Sequence, residues 1–206
     1  SWNRLSLAPH WLKDRFLRLI GREKGYALAG RPARIIAKMN ALCDKDIIEA
    51  LYEASAAGVR IDLIIRGICC LRVGVPGVSE NITVRSIVGN FLEHARIFCF
   101  ENDGKPEYYC ASADWMPRNL ERRVEILFPI EKPALQEKLK LILDSQLKDT
   151  VKAHILQPNG SYTKVDRRGK EVFNAQLSFC EEAREAVREK TGEMHNRVFI
   201  PKTHQS

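Results

Sequence analysis

The sequence predicts an α/β fold, a mixed sheet flanked by helices, and three observations predict it. Two apolar, β-rich runs at 33–39 and 59–65 bracket a capped helical segment, the βαβ order that gives a parallel strand pair. An Asn102-Asp103-Gly104-Lys105 turn sits between two later strand-like runs and marks an antiparallel hairpin. Amphipathic helical patterns stand near both ends of the chain, ready to cover the faces of a sheet.

The elements follow in order. After Pro9, residues Leu12, Phe16, Leu19 and Ile20 recur at helical spacing among Lys and Arg, which puts one apolar stripe on a first helix. The run 33–39 is a strand, Asp44 is an N-cap for a helix through residue 57, and Gly58 ends that helix. Residues 59–65 form a second strand of the kind buried on both faces. A Gly/Pro-rich loop spans 67–79, and strands follow at 82–87, 95–100, 107–111 and 124–128. Pro133 opens a helix carrying Leu135, Leu139, Ile142, Leu143 and Leu147, and a polar linker leads to a last helix at 171–189. The stretch 164–170 reads as a solvated loop or as a contact for a polyanion.

The chain has 206 residues and 45% hydrophobic content, enough for a packed core. Lys and Arg number 33 against 26 Asp and Glu, a formal charge of +7 that suits a polyanionic partner or simply a soluble basic surface. Six cysteines lie mostly in apolar runs without C-x-x-C spacing, as expected for free thiols of a reducing compartment, so the cytoplasm is the expected location. No stretch approaches the roughly 18 apolar residues of a membrane span. A chain opening at Ser1-Trp2-Asn3 without Met reads as a piece of something longer.

Three clusters carry chemistry. Arg66-Gly67 follows a strand at its carboxyl end, where open α/β sheets bind ligands; a guanidinium there takes two phosphate oxygens or serves a structural ion pair. His94 and Arg96, two apart at a strand start, project to one side, so an imidazole and a cation stand together. Ser112, Asp114, Asn119, Arg122, Arg123 and Glu125 crowd a strand-to-loop junction, a polar density able to orient His94 and bind oxyanions. Trp115 has two readings, a stack for adenine or a plug of the core. His10, His154, His195 and His204 read as incidental surface residues.

His94-x-Arg96-x(4)-Glu101 resembles the H-x-K-x(4)-D motif of the phospholipase D superfamily, with Arg for Lys and Glu for Asp. Ser112-Ala113-Asp114 and Asn119 to Glu125 resemble the positions that follow it. Together with Lys38-Met39-Asn40, 65–71, Pro76-Gly77, 91–94 and 112–119, these residues resemble the C-terminal domain of bacterial polyphosphate kinases over residues 5–186. Val73 and Ala95 depart from the usual proline and serine without removing a charged group.

The resemblance implies a phospholipase-D-like sheet and reversible, ATP-dependent extension of polyphosphate through a phosphohistidine carried by a preceding domain. It implies that residues 1–206 form a C-terminal catalytic domain of a longer kinase: helix and lead-in at 1–30, α/β core at 31–150, linker and last helix at 151–206. It assigns His94 and Glu125 to catalysis, and Arg66, His94, Arg96 and Arg123 to ATP or phosphate. Magnesium ligands are expected mainly in the preceding domain, with none here. The implied partners are ATP, ADP, polyphosphate, the remaining kinase domains and further copies of the intact enzyme, without nucleic acid. Alternatives are a dimeric phosphodiesterase of the wider superfamily and a non-catalytic polyanion-binding module.

Overall fold

A computed structural model describes residues 5–195, with side chains through residue 189. Nine strands form one mixed sheet in the order β1-β7-β6-β5-β2-β3-β4-β8-β9. They are β1 (Ser6–Leu7), β2 (Arg34–Met39), β3 (Arg60–Ile65), β4 (Ile82–Ile87), β5 (Ile97–Phe100), β6 (Glu107–Ala111), β7 (Ile126–Ile130), β8 (Ala153–Leu156) and β9 (Tyr162–Lys164). The helices are α1 (Leu12–Leu28), α2 (Lys45–Ala56), α3 (Pro133–Lys148) and α4 (Ala175–His195). The expected parallel pairing of β2 with β3 is present, and β4 extends it. No helix among the described residues is long and apolar enough to cross a membrane.

Strand alternation assigns the two faces. Ile35, Ala37 and Met39 of β2 join Leu12, Phe16 and Ile20 of α1 and Ile47 and Leu51 of α2 in the larger core. Ile36 and Ile64 face the other way and meet Leu143, Leu139 and Ile142 of α3. Asp44 caps α2 as expected, its carboxylate accepting from the Ile47 N–H at 3.1 Å. Trp115 is fully buried between Phe16 and Phe98, at 5.3 and 5.2 Å, so it plugs the core and offers no face to a nucleobase.

Four expectations shift. The strand expected at 95–100 begins at Ile97 because the Ala95 carbonyl is taken by the Lys38 ammonium, 3.2 Å away. The strand expected at 124–128 runs from Ile126 to Ile130: Pro129 is tolerated because β1 pairs only with Ile126 and Leu127, leaving Pro129 on an open edge. The last helix starts at Ala175, where the Asn174 side chain accepts from the Leu177 N–H at 3.2 Å. The polar linker holds a β8–β9 hairpin.

All six cysteines are unpaired, although Cys70 is exposed where a buried thiol was expected. His10 is exposed and His154 is half-buried on β8; the side chain of His195 and all of His204 lie outside the described residues.

Candidate functional site

The topology gathers the polar residues at one end of the strands. Parallel β2 and β3 end there, antiparallel β5 and β7 begin there, and β6 ends there. Asn40, Arg66, His94, Arg96, Ser112, Asp114 and Glu125 each lie within three residues of such a strand end.

Asp114 organises the centre. Its buried carboxylate accepts from Arg96 Nε and Nη2, both at 3.2 Å, and from the Asn40 backbone N–H at 2.7 Å. This two-point grip fixes the guanidinium plane. Arg96 Nη1 then lies 3.1 Å from His94 Nδ1 and 3.2 Å from Nε2, and donates to the His94 carbonyl at 3.1 Å. A guanidinium has only donors, so the ring nitrogen facing it accepts. His94 and Arg96 therefore point together as expected, although the segment 88–96 that holds them has no regular structure. The His94 side chain is exposed, open to a ligand.

Arg66 stands across from this group. Its Nε donates to the Asn40 side-chain oxygen at 2.9 Å, and its Nη2 reaches the same oxygen. The partner is a neutral carboxamide, and among the described residues Arg66 forms no ion pair, so its charge stays available. Gly67 makes the approach possible: a Cβ there would sit 3.0 Å from the Asn40 carbonyl oxygen, while the Gly67 N–H donates to that oxygen at 2.8 Å.

Glu125 belongs to a neighbouring cluster. Ser112 Oγ donates to one of its oxygens, Asn119 Nδ2 donates to the other at 2.6 Å, and the Ile126 N–H donates to Ser112 Oγ at 3.0 Å. Arg123 is exposed and without a hydrogen bond or ion pair among the described residues. Glu101 lies beyond the far end of β5, away from His94.

Residue-by-residue reading missed the support beneath the site. Lys38 is 2% exposed in the middle of β2 and pairs with Glu93 at 3.2 Å. Burial lowers its pKa, an effect that the Glu93 carboxylate opposes. A lysine inside an apolar strand was the available signal. Burial pushes the Cys43 and Cys69 thiols up to about 11, so neither is a nucleophile at neutral pH. Among the described residues no group of three or more His, Cys, Asp or Glu side chains is placed to hold a metal ion. These residues therefore do not fit a magnesium site by themselves.

Comparisons with known proteins agree with this layout. The polyphosphate kinase of Thermosynechococcus vestitus is 60% identical over 162 residues, 79% of this chain and 22% of that protein. The polyphosphate kinase of Lactiplantibacillus plantarum is 48% identical over 192 residues, 93% and 27% respectively. The chain thus spans about a quarter of the length of these relatives. The crystal structure of polyphosphate kinase from Porphyromonas gingivalis superposes with a TM-score of 0.86 at 38% identity, covering 93% of this chain and 29% of that one. NucT from Helicobacter pylori matches 70% of this chain and 94% of its own, with a TM-score of 0.51 and 16% identity, a likeness of fold alone. The phospholipase D family member Nuc from Salmonella typhimurium is similar at a TM-score of 0.50. The family described as Polyphosphate kinase C-terminal domain 2 matches residues 5–176, and with the sheet, the His94–Arg96–Asp114 cluster and these relatives it leads to one conclusion: the chain belongs to the polyphosphate kinase C-terminal domain family.

Proposed function

We propose that this chain contributes half of the active site of an ATP-dependent polyphosphate kinase, the other half and the nucleophilic histidine coming from a preceding domain of the same polypeptide. The observation that carries this reading is the uncompensated cation at the strand ends: Arg66 rests on a neutral amide beside the exposed imidazole of His94. In phosphoryl transfer the protein positions donor and acceptor and neutralises charge spreading over the equatorial oxygens. Arg66 and Arg123 take phosphate oxygens of ATP and the growing chain. Arg96, half-neutralised by Asp114, aligns His94 and faces the same anion. His94 holds or moves a proton opposite the attacking group, and Glu125 orders the Ser112–Asn119 side of the site.

The bond from the γ-phosphorus to the bridging oxygen breaks as the bond to the partner domain's histidine forms, and ADP leaves with the electron pair. A terminal polyphosphate oxygen then takes the phosphoryl group, regenerating the histidine. Magnesium would neutralise nucleotide phosphates using ligands from the preceding domain, and no step here depends on it. The six unpaired thiols support a cytoplasmic setting. Relatives named polyphosphate kinase at 48–60% identity weigh against the phosphodiesterase reading, whose structural neighbour NucT shares 16%.

The test is to incubate the purified chain with γ-labelled ATP and magnesium, with and without short polyphosphate, beside His94→Ala. The expected result is nucleotide binding that depends on His94, with neither acid-labile labelling nor polymer. Polymer synthesis or stable labelling by this chain alone would place the nucleophile here and overturn the division of roles. Anion binding that survives combined His94→Ala and Arg66→Ala but falls steeply with salt would support a non-catalytic module.

A further inference from the structure

The segment 88–96, which presents His94, has no hydrogen-bonded ladder of its own, so something else must hold it. Gln176, in the first turn of α4 and 4% exposed, supplies the grip. Its Oε1 accepts from the Phe91 N–H at 3.2 Å, and its Nε2 donates to the Phe91 carbonyl at 2.9 Å and to Glu93 Oε1 at 2.8 Å. One carboxamide thus pairs with a whole residue of loop backbone and with the side chain next to His94.

Two further observations show that the loop is shaped around this contact. A Cβ at Gly89 would lie 2.3 Å from Gln176 Oε1 and 2.9 Å from its Cδ, and Gly89 is not in the left-handed region. Position 89 therefore requires the absence of a side chain, not special backbone freedom. The remaining oxygen of Glu93 accepts from Gln146 Nε2 of α3 at 2.6 Å and pairs with Lys38 Nζ, which also donates to the Ala95 carbonyl. Both neighbours of His94 are held from the protein side, and its own side chain is exposed. Gln176 is itself fixed, because the Asp149 carboxylate accepts from the adjacent Ala175 N–H at 2.8 Å.

We propose that Gln176 is a positioning residue for His94: through Phe91 and Glu93 it sets where the imidazole stands against Arg96, so that the seating of α4 governs the presentation of His94. This rests on the active-site role of His94 proposed above only for its effect on turnover.

The test compares Gln176→Ala with the parent, first in the full chain by following the His94 ring signals in NMR spectra, assigned by their loss in His94→Ala. Expected is a displaced or broadened His94 signal in a chain that remains folded. A His94 signal unmoved by Gln176→Ala overturns the proposal, whatever activity does. In the intact enzyme, Gln176→Ala should lower kcat about tenfold, the scale of one or two lost hydrogen bonds, and should cost nothing further in a His94→Ala background. Equal losses in both backgrounds would make Gln176 merely structural. If His94→Ala leaves turnover intact, the catalytic reading of His94 fails while the NMR comparison still decides the positioning role. Should Gln176→Ala not fold, Gly89→Ala displaces the same carboxamide by one methyl group and is read in the same way.

Discussion

At the amino end of the parallel strands, Glu23 is fully buried and accepts from the backbone N–H groups of Asn102 and Arg34 and from Arg22. Burial raises its pKa, and these donors oppose the shift. Close by, Asp62 accepts from Arg34 at 2.6 Å, Arg60 at 3.1 Å and Thr83 at 2.9 Å, while Arg31 pairs with Asp103. At the carboxyl end the same residue types recur, yet Arg66 ends on a carboxamide, Arg123 on nothing among the described residues, and His94 faces outward. One end closes its charges on itself and stabilises loops; the other keeps positive charge unspent for a ligand. Residue composition alone does not separate the two ends. The partners do.

The largest expected effect attacks the open end. Arg66→Ala in the intact enzyme should lower kcat/KM for phosphoryl transfer by about 10²–10³-fold, the scale of removing one aimed donor from a transition-state site. Its unfolding free energy should change by under about 1 kcal/mol, since only a bond to a neutral amide is lost. A large fall in stability in urea titration would show that Arg66 belongs with the structural pairs of the other end.

Asp62→Ala reverses the pattern. It strands Arg34, Arg60 and Thr83 around a carboxylate whose side chain is 5% exposed, and should cost about 2 kcal/mol of stability, discounted for the exposure of both arginines. Turnover per folded molecule should be unchanged. A loss of turnover in the still-folded variant would break the contrast between the two ends.

Much of this was legible in the sequence, for local reasons. The β2–α2–β3 unit announced itself through two apolar runs and the Asp44 cap, and Arg66 and His94 through their places beside strands. The β8–β9 hairpin was missed because 153–156 and 162–164 are short, although Asn159-Gly160 between them is a favoured turn dipeptide. The role of Asn40 depends on Arg66, 26 residues away, and that of Gln176 on Phe91, 85 residues away. Such contacts have no periodicity or spacing by which a single sequence discloses them. Even so, Lys38 stood out as a charge inside a buried strand and pointed toward Glu93.

The smallest expected effect sharpens what an unspent charge means. Arg123 is exposed and reaches the ligand across water, so its contribution is screened, whereas Arg66 sits half-buried beside backbone that a ligand would cover. The Debye length falls from about 10 Å at 0.1 M salt to about 3 Å at 1 M. Arg123→Gln should therefore weaken polyphosphate binding to the chain a few-fold at low salt, on the order of an exposed ion pair, and have no effect near 1 M. Arg66→Gln should weaken binding at both, because a bidentate contact removed from water is screened much less. Binding isotherms for the two variants across a salt series separate the cases. If both lose their effect in high salt, the carboxyl end is a diffuse basic surface and not a site.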